Sequence, residues 1–320
     1  MLRFDDQVVL ITGAGRGIGH QHALFLAERG AKVVVNDYGV GLRGENGGNP
    51  VFADAVAAEI EAAGGTALSA CCDIGDKGQV DAMMAGVIQR FGRIDVVIHN
   101  ASVYADLGSF ADARVEDLER IMRVNAVGGW NITHAAWPHM IEQKYGRVVI
   151  TGSGAGFFGR RKDHAYSIAK AALMTMTKLL ATEGAALGIK VNLIGPVAWT
   201  DQSKAQGIPP LMEKFAAPVQ ISKVVAVLAH ADCPVTGEMF HTGGGFVARV
   251  FVGETQGAVF DVERMTPEDV LAGMPRIMDE SGYIVPPNSD RSGAHLSASI
   301  AAANPAFAAA LEEAKRNRSQ

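Results

Sequence analysis

Cysteine is scarce in this 320-residue chain: Cys71, Cys72 and Cys233 are the whole supply. Two are adjacent, and neither CxxC nor paired Cys/His spacing occurs, so a disulfide framework and a structural zinc site drop out and no metal is expected. That thiol usage fits a reducing compartment, and the expected location is cytoplasmic. Basic charge is also short, with Lys+Arg 29 against Asp+Glu 34 and a formal net charge of −5. A non-specific nucleic-acid binder needs a basic surface, so no nucleic-acid partner is expected. No apolar run reaches about 18 residues, so no membrane span is expected. Asp5 and Asp6 arrive before any apolar stretch, which argues against a signal peptide. The last residues, Asn317-Arg318-Ser319-Gln320, are not a Ser-Lys-Leu peroxisomal address. A hydrophobic content of 48% with 20% charged residues is that of a core-former, which excludes a mostly disordered chain.

Glycine is abundant instead, at 37 residues, and much of it falls where a strand would pass into a helix. The runs Val8–Ile11, Val33–Val35, Val96–Ile98, Val148–Ile150 and Val191–Ile194 are almost wholly apolar rather than alternating. Such runs suit strands buried on both faces. Helical stretches over 17–29, 51–63, 77–91, 124–144 and 164–187 alternate with them. The repeated order predicts an α/β fold with a doubly wound parallel sheet and right-handed crossovers. A Gly/Asn-rich loop, Tyr38 to Pro50, interrupts the second unit and is longer than such connections usually are. The rhythm ends near residue 245, which divides the chain into a main domain, 1–245, and a C-terminal extension, 246–320. In the extension we expect a short strand pair, then a helix started by Thr266-Pro267-Glu268-Asp269, with Thr as cap and Pro at the first helical position. The Ser/Ala-rich last thirty or so residues, with a helix near 305–315, are expected to be disordered or to pack on the same domain or a neighbouring subunit.

Thr12-Gly13-Ala14-Gly15-Arg16-Gly17-Ile18-Gly19 joins the first strand to the first helix. Glycines here permit positive φ in a tight turn and let the backbone approach a pyrophosphate, to which the helix N-terminus offers free N–H groups. Asp37 ends the second strand about 20 residues on, where a carboxylate can accept from both ribose hydroxyls and repel a 2′-phosphate. That selects NAD, although Arg16 could pair with such a phosphate. A solvated turn carboxylate is the plain alternative for Asp37. Asp73, at the end of the third strand, is a candidate for the adenine edge or a helix cap. Asn100, after the fourth strand, either lines the cofactor cleft or closes a turn.

Tyr166 and Lys170 stand at i and i+4, one turn apart on one helical face. An ammonium beside a phenol favours phenolate, turning a poor base into a usable one. Thirteen residues upstream, Ser153 could hold a substrate oxygen beside that phenol. Asn125 places a polar amide in a helical stretch, which points to a kink, a buried water contact or an ordinary exposed side chain. The charged loop Arg160-Arg161-Lys162-Asp163-His164 either receives anionic groups of a substrate or is simply solvated.

Taken in order, Thr12–Gly19, His99-Asn100-Ala101-Ser102, Asn125, Ser153, Tyr166/Lys170 and Gly195-Pro196 resemble the short-chain dehydrogenase/reductase family across residues 5 to about 245. The resemblance implies a Rossmann-type fold and a nicotinamide cofactor held by Gly13, Arg16, Gly17, Ile18, Gly19, Asp37, Asp73, Asn100, Tyr166, Lys170 and Pro196. It makes Tyr166 the proton donor or acceptor and Ser153 the residue that orients the substrate oxygen. Lys170 then lowers the phenol pKa and binds the nicotinamide ribose, and Asn125 fixes a water in a proton relay. Ser102 departs from the family's usual Gly and adds a hydroxyl near the cofactor.

Val33-Val34-Val35-Asn36-Asp37, the Gly-rich insert, Ala135-Ala136-Trp137, Lys144-Tyr145-Gly146-Arg147 and Met265–Val270 are similar to one branch of that family. It is the (3R)-hydroxyacyl-CoA dehydrogenase unit of multifunctional β-oxidation enzymes and its bacterial stand-alone relatives. That branch often has His in place of Asn125, and a less basic loop before the tyrosine. The implied function is NAD-dependent interconversion of a secondary alcohol and a ketone, with a 3-hydroxyacyl-CoA as one substrate. A hydroxysteroid or bulky cyclic or aryl alcohol dehydrogenase is the alternative, followed by a non-catalytic nucleotide sensor. The implied assembly is a homodimer or homotetramer on the helices near 124–144 and 164–187, with a small-molecule alcohol or ketone as the other partner.

Overall fold

Every apolar run singled out above becomes a strand in the computed structural model, which describes residues 1–104, 108–205 and 209–318. Ser319 and Gln320, part of the C-terminal sequence considered for an address, lie outside the described residues. In chain order the elements of the first unit are β1 (Val8–Thr12), α1 (Gly17–Ala27), β2 (Lys32–Asn36), α2 (Val51–Ala62), β3 (Thr66–Ala70), α3 (Lys77–Phe91), β4 (Val96–His99), α4 (Val115–Met122), α5 (Gly128–Gln143) and β5 (Gly146–Thr151). They continue with α6 (Gly154–Phe158), α7 (His164–Gly184), β6 (Ile189–Pro196), α8 (Asp201–Ala205), α9 (Met212–Phe215), α10 (Pro218–Ala229), β7 (Met239–Gly243) and β8 (Phe246–Val250). One sheet of eight strands runs β3-β2-β1-β4-β5-β6-β7-β8, parallel except for the last pair. The expected doubly wound sheet is therefore observed.

Strand periodicity explains why the runs are apolar throughout. Val9, Ile11, Val33, Val35, Val96 and Ile98 face one side, against Ala23 and Leu26 of α1, Val56 and Ile60 of α2 and Val225 of α10. Val8, Leu10, Val34, Val97, Val148 and Ile150 face the other, against Met84 of α3, Ile132 and Met140 of α5 and Leu173 of α7. Both faces are covered, so neither strand face has a position for a solvated side chain. Burying one such Val or Ile contributes about 1.5–3 kcal/mol.

The end of the sheet where strands begin is tied by two buried charges. Asp95 accepts from the Val8 N–H at 2.8 Å and from Arg93 at 2.7 and 2.9 Å. The buried Arg147 guanidinium donates to the carbonyls of Gly146, Gly188, His230 and Ala231 at 2.7–3.1 Å. At the other end the strand order reverses between β1 and β4, which opens a crevice at their C-terminal tips.

The strand expected just past residue 245 forms, but as the eighth strand of the main sheet. Gly244 and Gly245, at φ +58° and +84°, turn the chain back so that β8 runs antiparallel along β7. The chain divides into compact units Met1–Val250 and Phe251–Gln320. Inside the second unit, α11 (Pro267–Ile277) starts as expected: Thr266 Oγ1 accepts from the Asp269 N–H at 3.2 Å, and Asp269 accepts from the Thr266 N–H at 3.0 Å. The Ser/Ala-rich stretch for which disorder was one expectation is largely helical, forming α12 (Ser289–Ala303) and α13 (Pro305–Arg318). Alanine's helix propensity and the Asn288 cap outweigh the missing apolar bulk. No helix among the described residues is long and apolar enough to cross a membrane.

Candidate active site

At Gly13, Gly15 and Gly19 the glycine turn is built around contacts that leave no room for a side chain. Gly13 and Gly17 take φ of +63° and +57°. A Cβ on Gly13 would lie 2.7 Å from Ala101 Cα, and one on Gly19 would lie 2.1 Å from the Gly13 carbonyl oxygen. Gly19 thus packs the helix against the turn rather than lining the crevice. Asp37 clamps the turn from β2: its Oδ2 accepts from Gly15 N at 2.9 Å and its Oδ1 from Gly39 N at 2.8 Å. Asn100 clamps it from β4, donating to the carbonyls of Thr12 and Gly13 at 3.1 Å. The Arg16 guanidinium donates to the Val40 carbonyl and lies 4.4 Å over the Phe52 ring. Asp73 accepts from the Gly75 N–H and pairs with Arg123, both at 2.9 Å; Asp76, not Asp73, caps α3. A crevice of about 210 Å³ is lined by Gly13, Arg16, Gly17, Ile18, Asp37, Asp73 and Asn100.

A second cavity of about 210 Å³ adjoins it, sharing Ile18, Asn100 and Ser102 as walls, and is lined by Ser153, Tyr166, Lys170 and Pro196. Ser153 ends the turn after β5 and caps α6 by accepting from the Ala155 N–H at 3.1 Å. Tyr166 and Lys170 project from the first turns of α7, with the ammonium 5.6 Å from the phenol ring centre. Lys170 Nζ donates to the Thr151 carbonyl at 2.7 Å, and the side chain is fully buried.

The electrostatics differ from the expectation in one respect. Burial raises the Tyr166 phenol above its ordinary value, and the Ser153 hydroxyl is the largest influence pulling it back, with Ser102 a weaker one. Burial depresses Lys170 itself to about 7, because a desolvated ammonium loses the hydration that holds its proton. Asp163, buried beside the loop, raises the phenol further, and Arg160, which pairs with Asp163 at 3.6 Å, opposes it.

Asn125 is buried in a widened helical turn, Arg123–Val127, between α4 and α5, so the exposed alternative is excluded. Its carboxamide is bonded at both ends to the Val103 backbone, at 2.8 and 2.9 Å, and it lines neither cavity. Each end of the amide spends one of its two hydrogen-bonding positions on Val103, and the backbone carbonyl of Asn125 accepts from His99 Nε2 at 2.9 Å. Thr12 Oγ1 accepts the N–H groups of Asn100 and Ala101 at 3.0 Å, so its own proton goes to His99 Nδ1, 3.3 Å away. The His99 proton is thereby assigned to Nε2. Burial lowers this ring to about 4, so it stays neutral.

Sequence reasoning assigned no role to Thr12, His99, Thr151, Thr200 or His241. Thr12 and His99 stood inside quoted motifs; nothing in spacing marks Thr200 or His241, which reach the second cavity from β6–α8 and β7. Of the basic loop, Arg160 lines that cavity, whereas Arg161 and Lys162 are exposed. Of the adjacent cysteines, Cys72 is buried and Cys71 is exposed. A larger concavity of about 810 Å³ lies at the opposite end of the sheet, lined by Arg3, Asp5, Leu24 and Glu59 among others, away from all these groups.

Residues 7–206 match the family model for short chain dehydrogenases, and the chain belongs to that family of oxidoreductases, which use NAD or NADP. It is 38% identical over 280 residues, 87% of its length, to the peroxisomal hydratase-dehydrogenase-epimerase of Saccharomyces cerevisiae, of which it covers 31%. The chain thus spans about a third of the curated relatives it matches at 38% identity. The crystal structure of a short chain dehydrogenase from Mycobacterium avium superposes with a TM-score of 0.73 at 32% identity, covering 88% of this chain and 98% of that one. Full-length peroxisomal multifunctional enzyme type 2 from Drosophila melanogaster gives 0.75 at 27% identity, over 92% of this chain and 49% of that one.

Proposed function

We propose that this protein is an NAD-dependent dehydrogenase that interconverts a secondary alcohol and a ketone on a 3-hydroxyacyl-CoA. The observation that carries the reading is the placement of Tyr166, Ser153 and Lys170 in a cavity that shares walls with the glycine crevice. That crevice fits a dinucleotide: its turn is bare where a Cβ would intrude, and it opens at a helix N-terminus. Bound there, the nicotinamide would supply or accept the hydride. The residues of this chain do the rest. Ser153 holds the substrate oxygen, Tyr166 takes or gives its proton, and Lys170 binds the ribose and, with the Thr151 carbonyl, fixes that end of the site. Proton handling by such a group is worth about 10²–10⁴-fold.

NAD rather than NADP is supported by two side chains. Asp37 holds its carboxylate at the crevice through two backbone N–H groups, where a 2′-phosphate would meet a like charge. Arg16, the counter-argument, is occupied with Val40 and Phe52. The acyl-CoA substrate class is supported by the named relatives and by the Arg160 cation in the second cavity. A homodimer or homotetramer is supported by exposed apolar side chains on the two expected helices, Trp130 and Ile141 on α5 and Ile168 and Leu179 on α7. Free thiols support a cytoplasmic location.

The test is turnover followed by NADH fluorescence with NAD and NADP, offering medium-chain 3-hydroxyacyl-CoAs, sterols and cyclic or aryl alcohols. Oxidation of the acyl-CoAs with NAD is expected. Preference for NADP, or activity confined to sterols, would overturn the corresponding half.

A further inference from the structure

The segment Asn100–Val103 runs between the glycine turn and the catalytic helix, and it is pinned on both sides. Asn100 bonds Thr12 and Gly13, the Ala101 N–H bonds Thr12 Oγ1, and Val103 is held at both its N–H and its carbonyl by Asn125. Ser102 stands between these anchors. Its Oγ is buried and has no hydrogen-bond partner among the described residues. It lines both cavities, the only one of the four with a side-chain hydroxyl, and one of those cavities holds Tyr166 and Ser153. A buried hydroxyl with nothing to bond is costly, and a backbone this constrained gives it little freedom to find a partner elsewhere. The family's usual glycine at this position would present no such group.

We propose that Ser102 is a positioning residue for the proton step: its hydroxyl donates a hydrogen bond to the Tyr166 oxygen as the phenolate forms, in addition to Ser153. The proposal rests on the dehydrogenase reading above. Ser102 keeps its own proton. The substrate hydroxyl proton passes to the Tyr166 oxygen on oxidation and returns from it on reduction, and the serine stabilises the charge between those events. The Ser102 Oγ makes no hydrogen bond among the described residues; catalytic hydrogen bonds often tighten only once substrate is present, and a serine hydroxyl is re-aimed by rotation about one side-chain torsion. The electrostatics of the site agree, since the Ser102 hydroxyl already favours the charged phenol.

The experiment is the pH dependence of kcat/KM for alcohol oxidation in Ser102→Ala, Ser102→Gly and Ser102→Thr, with thermal unfolding to confirm folding. Removing a hydrogen bond to a charged oxygen is expected to move the acidic limb up by about one pH unit in the Ala and Gly variants. Threonine, which retains the hydroxyl, is expected to keep the wild-type limb, and cofactor KM is expected to stay unchanged in all three. An Ala limb that superimposes on wild type, or a Thr limb that follows Ala, overturns the proposal. A second readout needs no substrate: ¹³C NMR titration of Cζ-labelled tyrosine, in which Tyr166→Phe identifies the resonance among five. Should no alcohol be oxidised, the function reading fails, and the titration still decides Ser102. An upward shift in Ser102→Ala supports it, and identical titrations overturn it.

Discussion

Asn125 and Val103 are joined by a closed pair of hydrogen bonds: the carboxamide oxygen accepts the Val103 N–H at 2.8 Å and the carboxamide nitrogen donates to the Val103 carbonyl at 2.9 Å. The pair locks the loop after β4 to the widened turn before α5, 22 residues away. Asn125→Ala leaves both backbone groups buried without partners. It is expected to lower stability by about 2 kcal/mol or more in denaturant unfolding, and to reduce kcat by releasing the segment that carries Ser102. An Asn125→Ala protein as stable as wild type would show that water replaces the amide.

Tyr166→Phe removes the hydroxyl while keeping the ring against Lys170. Turnover is expected to fall by about 10²-fold or more, with NADH binding by fluorescence titration retained. Near-normal turnover would leave the proton step to some other group.

Asp37→Ala tests specificity and architecture together. It is expected to raise kcat/KM with NADP relative to NAD, because the repelling carboxylate is gone. It also orphans the N–H groups of Gly15 and Gly39, so a loss of about 1–3 kcal/mol in unfolding free energy is expected. Unchanged stability would show that the two glycines find other acceptors.

Acid sensitivity follows from two buried histidines. Burial lowers His22 from 6.5 to about 3 and His99 to about 4. Both folded values lie below the unfolded one, so the unfolded chain binds more protons in between. Their contribution is intact above pH 6.5 and is lost as pH falls, toward 4 for His99 and toward 3 for His22. Each adds a slope of about 1.4 kcal/mol per pH unit in its window. His22→Asn is expected to make urea midpoints between pH 4 and 6 less dependent on pH; an unchanged slope would place the sensitivity elsewhere.

Arg160→Ala is expected to raise KM for a hydroxyacyl-CoA several-fold and leave KM for a neutral secondary alcohol unchanged. Equal effects on both would assign the guanidinium to loop structure through Asp163 rather than to substrate charge.

The sheet was readable because its strands are buried on both faces: Val33–Val35 and Val148–Ile150 carry their environment in their composition. β7 did not announce itself, since Met239–Gly243 mixes polar and apolar residues at the sheet's margin, and the largely exposed β8 was legible as a strand but not as a member of the main sheet. The glycine turn and the Tyr166/Lys170 pair were legible because their chemistry depends on local spacing. What spacing could not disclose was tertiary pairing. Asn125 meets Val103, Asp73 meets Arg123 across 50 residues, and Thr12 meets His99 across 87. Spacing was equally silent on burial, because adjacency along a helix says nothing about how much hydration the Lys170 ammonium has lost.

The buried Arg147, spending its guanidinium on four carbonyls, has a consequence for how this scaffold can change. At the floor of the sheet the Arg147 guanidinium is matched to carbonyls of β5, the residue before β6 and the segment after α10, whereas at the rim Ser102 and Thr151 carry hydroxyls with unspent capacity. Substitutions at the rim can therefore retune reactivity while the foundation persists, whereas replacing Arg147 even by lysine would strip several tethers at once and threaten every chemistry the rim could host.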